Sequence, residues 1–138
     1  MEMVVYGSRA RDTLMQLLFD TPSSQLFNVF QVVQLAPDTF LDATLGLDYI
    51  VIAAGRSSEI HRHNESDNVV YVLKGRAIII LNGMENEIVP GLRIQIPRGM
   101  WHGFRTSDEQ LEFISAQIPP ILDRKSGSFD REIMPSPQ

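Results

Sequence analysis

Turn-forming dipeptides punctuate the chain at short intervals: Pro37-Asp38, Ala54-Gly55, Lys74-Gly75, Asn82-Gly83, Pro90-Gly91 and Arg98-Gly99. Between and before them stand apolar runs, Leu26 to Leu35, Tyr49 to Ala53, Val69 to Leu73 and Ala77 to Leu81, rich in Val, Ile and Phe. Such residues suit a pleated, half-buried surface, and their mostly period-two alternation is that of strands. Asn82-Gly83 between two strand-like runs is the best hairpin signal, because both central positions of the favoured two-residue turn need a left-handed backbone. Strands of about five residues with turns at this density fold as a β-sandwich or a closed antiparallel barrel. One helical pattern stands out, Asp12 to Asp20 with Leu14, Leu17 and Leu18 in register, and it stops at Thr21-Pro22-Ser23-Ser24. The stretch from Pro119 to Gln138, rich in Pro, Ser and charge, reads as an arm across the surface rather than a further strand.

The length of 138 residues leaves room for one domain with one core, spanning 1–138. A formal net charge of -5 and no basic run beyond Arg124-Lys125 argue against nucleic acid as a partner, since phosphate binding needs concentrated positive charge. With no cysteine, disulfides, thiolate nucleophiles and cysteine zinc sites are excluded, so any chemistry rests on histidine, carboxylates and other oxygen groups. No apolar run approaches a membrane span, and the start MEMVVYGSRARD lacks the basic end and apolar stretch of a signal peptide, so a cytoplasmic location is expected.

Two of the three histidines, His61 and His63, stand two residues apart in GRSSEIHRHNESDNVVYVLKG, residues 55–75. In an extended segment they point to the same face, and paired neutral imidazoles suit a divalent cation. Taken alone, the pair could equally be a chance arrangement on a solvent face.

Two longer patterns alter that balance. Gly55, His61, His63 and Gly75 are spaced Gly-x5-His-x-His-x11-Gly, and Gly91, Pro97, Gly99 and His102 are spaced Gly-x5-Pro-x-Gly-x2-His, with Arg76 to Pro90 between them. This resembles the two motifs of the cupin superfamily, in its compact single-domain microbial form. All three histidines fall on the family's histidine positions. The resemblance covers about 48–113, and Gln117-Ile118-Pro119-Pro120 is similar to the exit strand and Pro pair of such proteins. It implies an all-β, antiparallel jelly-roll barrel over about 48–113, with extra strands in 1–47 and an arm over 119–138. It also implies one divalent transition metal, Fe preferred with Zn, Mn or Ni as alternatives, held by residues matching His61, His63 and His102.

Two positions depart from the pattern. Thr106 stands where the second motif usually ends in Asn, a position that serves the backbone turn. Asn68 stands where the first motif usually has Glu, and this changes the chemistry. An amide oxygen can reach a metal but carries no charge and binds more weakly than a carboxylate. Asp67 is adjacent, yet in a regular strand Asn68, Val70 and Val72 share one face while Asp67, Val69 and Tyr71 share the other. Asn68, Asp67 redirected by a bulge, or water remain as occupants of the fourth position, with Asn68 or water preferred. Phe104 shares the parity of His102 and points into the same space, Trp101 is placed in packing or at a pocket mouth, and Tyr71 faces away. Glu59, Glu65 and Asp67 read as a solvated acidic loop.

Three neutral imidazoles leave the charge of a bound metal uncompensated, which favours a small, anionic, oxygen-rich ligand. With Fe(II) such a site is similar to the three-histidine dioxygenases of the superfamily, so a metal-dependent oxidoreductase is expected. The alternatives are a metal-dependent isomerase and a non-catalytic module that binds a sugar, an organic acid or the metal itself. The apolar strand pattern of the first fifty or so residues exceeds what the motifs need and predicts a homodimer.

Overall fold

The computed structural model describes residues 18–41, 44–123 and 125–136. Eleven strands are formed there: β1 (Ser24–Phe27), β2 (Phe30–Gln34), β3 (Gly46–Ile52), β4 (His61–Arg62), β5 (Asp67–Lys74), β6 (Ala77–Leu81), β7 (Met84–Ile88), β8 (Arg93–Ile96), β9 (His102–Thr106), β10 (Leu111–Ile118) and β11 (Glu132–Ile133). They assemble into two antiparallel sheets, ordered β1-β2-β3-β10-β5-β8 and β11-β4-β9-β6-β7. This is the all-β jelly-roll barrel expected from the motifs. The helix expected over Asp12–Asp20 lies, apart from its last three residues, outside the described residues. Among the described residues no helix is long and apolar enough to cross a membrane.

Alternation explains how the sheets close on each other. In β10 the residues Leu111, Phe113, Ser115 and Gln117 are buried, and in β5 Asn68, Val70 and Val72 are buried while Asp67 and Tyr71 are exposed. The inward side chains of the two sheets meet in one core, where the Phe104 and Phe113 rings stack with centroids 4.9 Å apart and Phe30 meets Phe104 edge-on at 6.1 Å. That burial of apolar surface is the main force holding the sheets together.

The turns behave as their chemistry demands. Asn82 and Gly83 both take positive φ, 48° and 82°, and join β6 to β7 in a two-residue hairpin with Leu81 opposite Met84. The run Leu26–Leu35, read from sequence as one strand, is instead a hairpin. Asn28, at φ 55°, reverses the chain between β1 and β2 and brings Phe27 opposite Phe30. Asparagine is one of the few residues other than glycine that tolerates this backbone, and the surrounding apolar residues concealed it.

The segment after Pro119, read from sequence as an arm rather than a further strand, crosses the barrel and forms a short strand, β11, because its backbone finds an open edge at β4, pairing Glu132 opposite Arg62 and Ile133 opposite His61. A 2.7 Å ion pair between Arg62 and Glu132 runs alongside. Its part in the functional site was not foreseen from sequence.

Candidate metal centre

His61 lies in β4, directly opposite His102 of β9 in the antiparallel register. His63 follows β4 in the loop that leads to β5. The register and the alternation bring three rings together, with centroid separations of 4.4 Å for His61–His102, 5.0 Å for His63–His102 and 5.1 Å for His61–His63. One ring nitrogen from each lies within 4.8 Å of the other two, and all three residues are buried.

Hydrogen bonding decides which nitrogens are available. His61 Nδ1 lies 3.0 Å from the carbonyl of Glu59, His63 Nδ1 2.6 Å from that of Asp130, and His102 Nδ1 3.0 Å from that of Met100. A carbonyl can only accept, so each Nδ1 carries the proton and donates it, and each Nε2 keeps its lone pair. Holding a ring by one nitrogen while the other is left basic is how proteins orient histidine toward a metal. Burial pushes the pKa of His61 and of His102 down to about 3, assisted by the neighbouring rings. Burial also lowers that of His63, against the pull of the Asp130 carbonyl. Neutral, pre-oriented imidazoles fit a divalent metal.

Asn68 is brought to the same cavity, on the inward face of β5. Its amide oxygen is engaged: Ser115 Oγ donates to it at 2.6 Å, and Gln117 Nε2 donates to Ser115 Oγ at 2.8 Å. Asp67 is directed elsewhere, exposed and paired with Arg98 at 3.0 Å, and that pairing holds its carboxyl below the usual carboxylate range. No bulge redirects it. Thr106 is buried at the second departure from the motif, where its hydroxyl donates to the Ala53 carbonyl at 2.6 Å and accepts the Arg56 N–H at 2.9 Å, tying the Ala54-Gly55 turn. Phe104 lines the cavity with His102. Trp101 instead packs beneath the Arg62 guanidinium, 4.3 Å from the ring centroid. Glu59 forms an ion pair with Arg131.

The cavity has a volume of about 80 Å³ and opens to solvent. Its walls are largely apolar and aromatic, with Phe30, Phe104, Phe113 and Phe129 among them. Sequence reading missed several polar contributors. Asp48 and Ser115 line the cavity and Gln117 links them, with Gln117 Nε2 donating to Asp48 Oδ2 at 2.8 Å. A signal for these existed: in β3 and β10 they share the inward parity of Ile50 and Phe113, and a polar residue at such a place must find a buried partner. Arg131 also lines the cavity, and its buried Nε has no hydrogen-bond partner among the described residues. Nothing in the sequence marked it or Asp130, because both act through contacts made only when the arm has crossed the barrel.

Comparison with known proteins places these features in context. The cupin domain family matches residues 48–116. The tetracenomycin polyketide synthase protein TcmJ of Streptomyces glaucescens is 30% identical over 97 residues, covering 69% of this chain and 65% of that protein. The chain thus matches somewhat under two thirds of that relative's length. Among solved structures, the polyketide cyclase RemF of Streptomyces resistomycificus is 27% identical with a TM-score of 0.59, covering 75% of this chain and 74% of that one. A Cupin 2 conserved barrel domain protein of Salinispora arenicola shares the fold at 23% identity with a TM-score of 0.61, covering 69% and 80% of the two chains.

Proposed function

The chain belongs to the cupin superfamily, and from that premise we propose that it is a metal-dependent enzyme that enolises a small polycarbonyl molecule and directs an aldol-type ring closure inside its barrel. One observation carries the reading: three imidazoles with free Nε2 lone pairs converge in a cavity with aromatic walls. A divalent metal held by His61, His63 and His102, with Fe preferred and Zn, Mn or Ni as alternatives, would supply a Lewis acid for carbonyl oxygens. Asn68 would stand as a neutral fourth neighbour, its amide fixed by Ser115. The phenyl walls suit a flat conjugated ligand, and Arg131, in the cavity wall, would supply positive charge for an anionic oxygen. The polyketide-related names of TcmJ and RemF support the same substrate class.

A second reading, an iron-dependent dioxygenase, is favoured by the lack of a carboxylate in the three-histidine cluster. One experiment separates the two. Protein of measured metal content is incubated with an aromatic β-diketone that carries a second ketone within ring-closing reach. Cyclisation without oxygen uptake supports the ring-closing enzyme, and oxygen consumption with products two oxygen atoms heavier supports the dioxygenase. Tight binding with no turnover would leave a non-catalytic ligand-binding module.

We further propose that the protein forms a homodimer. Leu26 on the outermost strand β1 and Phe40 are strongly exposed apolar side chains that a second copy would cover. Light scattering at micromolar concentration should give twice the chain mass, and a monomeric mass would overturn this part.

A further inference from the structure

Asp48 is the only carboxylate among the described residues that line the histidine cavity. It projects from the inward face of β3 and is 8% exposed. A carboxylate so buried usually has a cation beside it, but among the described residues Asp48 has a neutral partner, the Gln117 amide. Gln117 is itself fixed, its Oε1 accepting the Ile121 N–H at 3.0 Å and its Nε2 also reaching Ser115 Oγ. Asp48 lines a second cavity as well, together with Gln34 and Leu122, which also border the first. Asp48 therefore borders both the histidine cavity and a second opening.

We propose that Asp48 is the proton-transfer residue of the site, removing a proton from the carbon next to a carbonyl of the molecule bound in the histidine cavity. This rests on the carbon-acid reading above. The C–H bond breaks and an O–H bond forms on Asp48. The C–H electron pair becomes the carbon–carbon double bond of an enolate, and the carbonyl oxygen takes the negative charge. When the enolate carbon bonds to a second carbonyl carbon of the same molecule, the resulting alkoxide takes the proton back from Asp48, and no other reactant is consumed. A neutral amide steadies the carboxylate without the strong stabilisation a cation would give, so it keeps its basicity. Burial raises its pKa to about 6, against the lowering effect of the Gln117 hydrogen bond, a range that suits a general base near neutral pH. Its cross-strand neighbours, Gln34 on β2 and Ser115 on β10, are uncharged. Among the described residues, the ionisable groups sharing the first cavity are His61, His63, His102 and Arg131, and those sharing the second are Asp38, Asp123 and Lys125. The second cavity offers Asp48 a route for proton exchange with solvent.

The test is deuterium uptake into the methyl group of acetophenone in D2O, followed by proton NMR with zinc-loaded protein. This aromatic ketone has no second carbonyl, so its reaction stops at the enolate. Wild-type protein should exchange the methyl protons with a rate that rises with pH as Asp48 loses its proton, the zinc charge drawing the midpoint below the value of about 6 that burial sets in metal-free protein. Asp48→Asn should lower the rate about 100-fold or more, with zinc content and acetophenone binding unchanged. An Asp48→Asn rate equal to wild type would overturn the role of Asp48 while leaving the carbon-acid reading intact, and no exchange by wild type would overturn both. Should Asp48→Asn fail to fold, Gln117→Leu retains the carboxylate and should move the midpoint upward, and an unmoved midpoint counts against the proposal. A readout independent of turnover is the 13C NMR titration of the Asp48 carboxyl in metal-free protein, where an ordinary carboxylate midpoint would overturn it.

Discussion

His63 and Asp130, 67 residues apart in sequence, are joined by a 2.6 Å hydrogen bond from the ring Nδ1 to the backbone carbonyl. The side chain of Asp130 meanwhile accepts the N–H groups of Asn64, Glu65 and Ser66 at 2.8, 2.9 and 2.8 Å. One residue of the C-terminal arm therefore fixes both the tautomer of a candidate ligand and the loop that carries it. Burial pushes the Asp130 carboxyl upward, but the three N–H donors outweigh it and hold the pKa below the usual value. Asp130→Ala keeps the carbonyl and removes the loop anchor. Metal affinity should fall about tenfold, as for other outer supports of ligating histidines, measured by competition with a chromophoric chelator. Unchanged affinity would show that the loop holds its shape without the Asp130 carboxylate.

The histidines make the metal-free fold sensitive to acid. His61 and His102 stay neutral when folded, with pKa values near 3, but titrate near about 6.5 in an unfolded chain. Between those limits the unfolded state binds more protons, so stability is complete above about pH 6.5 and is lost as the pH falls. Each ring contributes a slope of up to about 1.4 kcal/mol per pH unit. Urea unfolding of metal-free protein at pH 7 and pH 5 should show the loss, and a flat profile would mean that the rings are solvated.

Removing a clustered imidazole should empty the site. His61→Ala and His102→Ala are expected to abolish near-stoichiometric metal in elemental analysis. Asn68→Ala should weaken binding only modestly, because the amide carries no charge and its oxygen is already taken by Ser115. Asn68→Glu should tighten binding by adding an anionic ligand. If Asn68→Ala empties the site as fully as the histidine changes do, Asn68 is an essential ligand.

Gly46 stands opposite Gln117 in the β3–β10 register. A Cβ at Gly46 would collide with Gln117 Oε1 and come within 2.9 Å of the Pro120 Cα. Gly46→Ala should cost about 1–3 kcal/mol through overpacking, measured by urea denaturation, and should detach Gln117 from Asp48. A neutral substitution would mean that Pro120 and Gln117 can both move aside.

Much of this architecture was legible in the residues themselves. Turn dipeptides and alternation act over a few positions, so the all-β class, the β6–β7 hairpin and the inward parity of Asn68 against Asp67 needed no tertiary information. The spacing of His61, His63 and His102 likewise led to the cupin barrel. The Asn28 turn was hidden because asparagine reverses a chain only in a backbone conformation that apolar neighbours do not advertise. Tertiary structure alone decided what surrounds the histidines. The carbonyl that holds His63 comes from Asp130, the cavity cation from Arg131, and the amide that holds Asp48 from Gln117. Parity tells which way a side chain points along its own strand, whereas its partner is chosen by sheet order and register, which join positions nearly 70 residues apart.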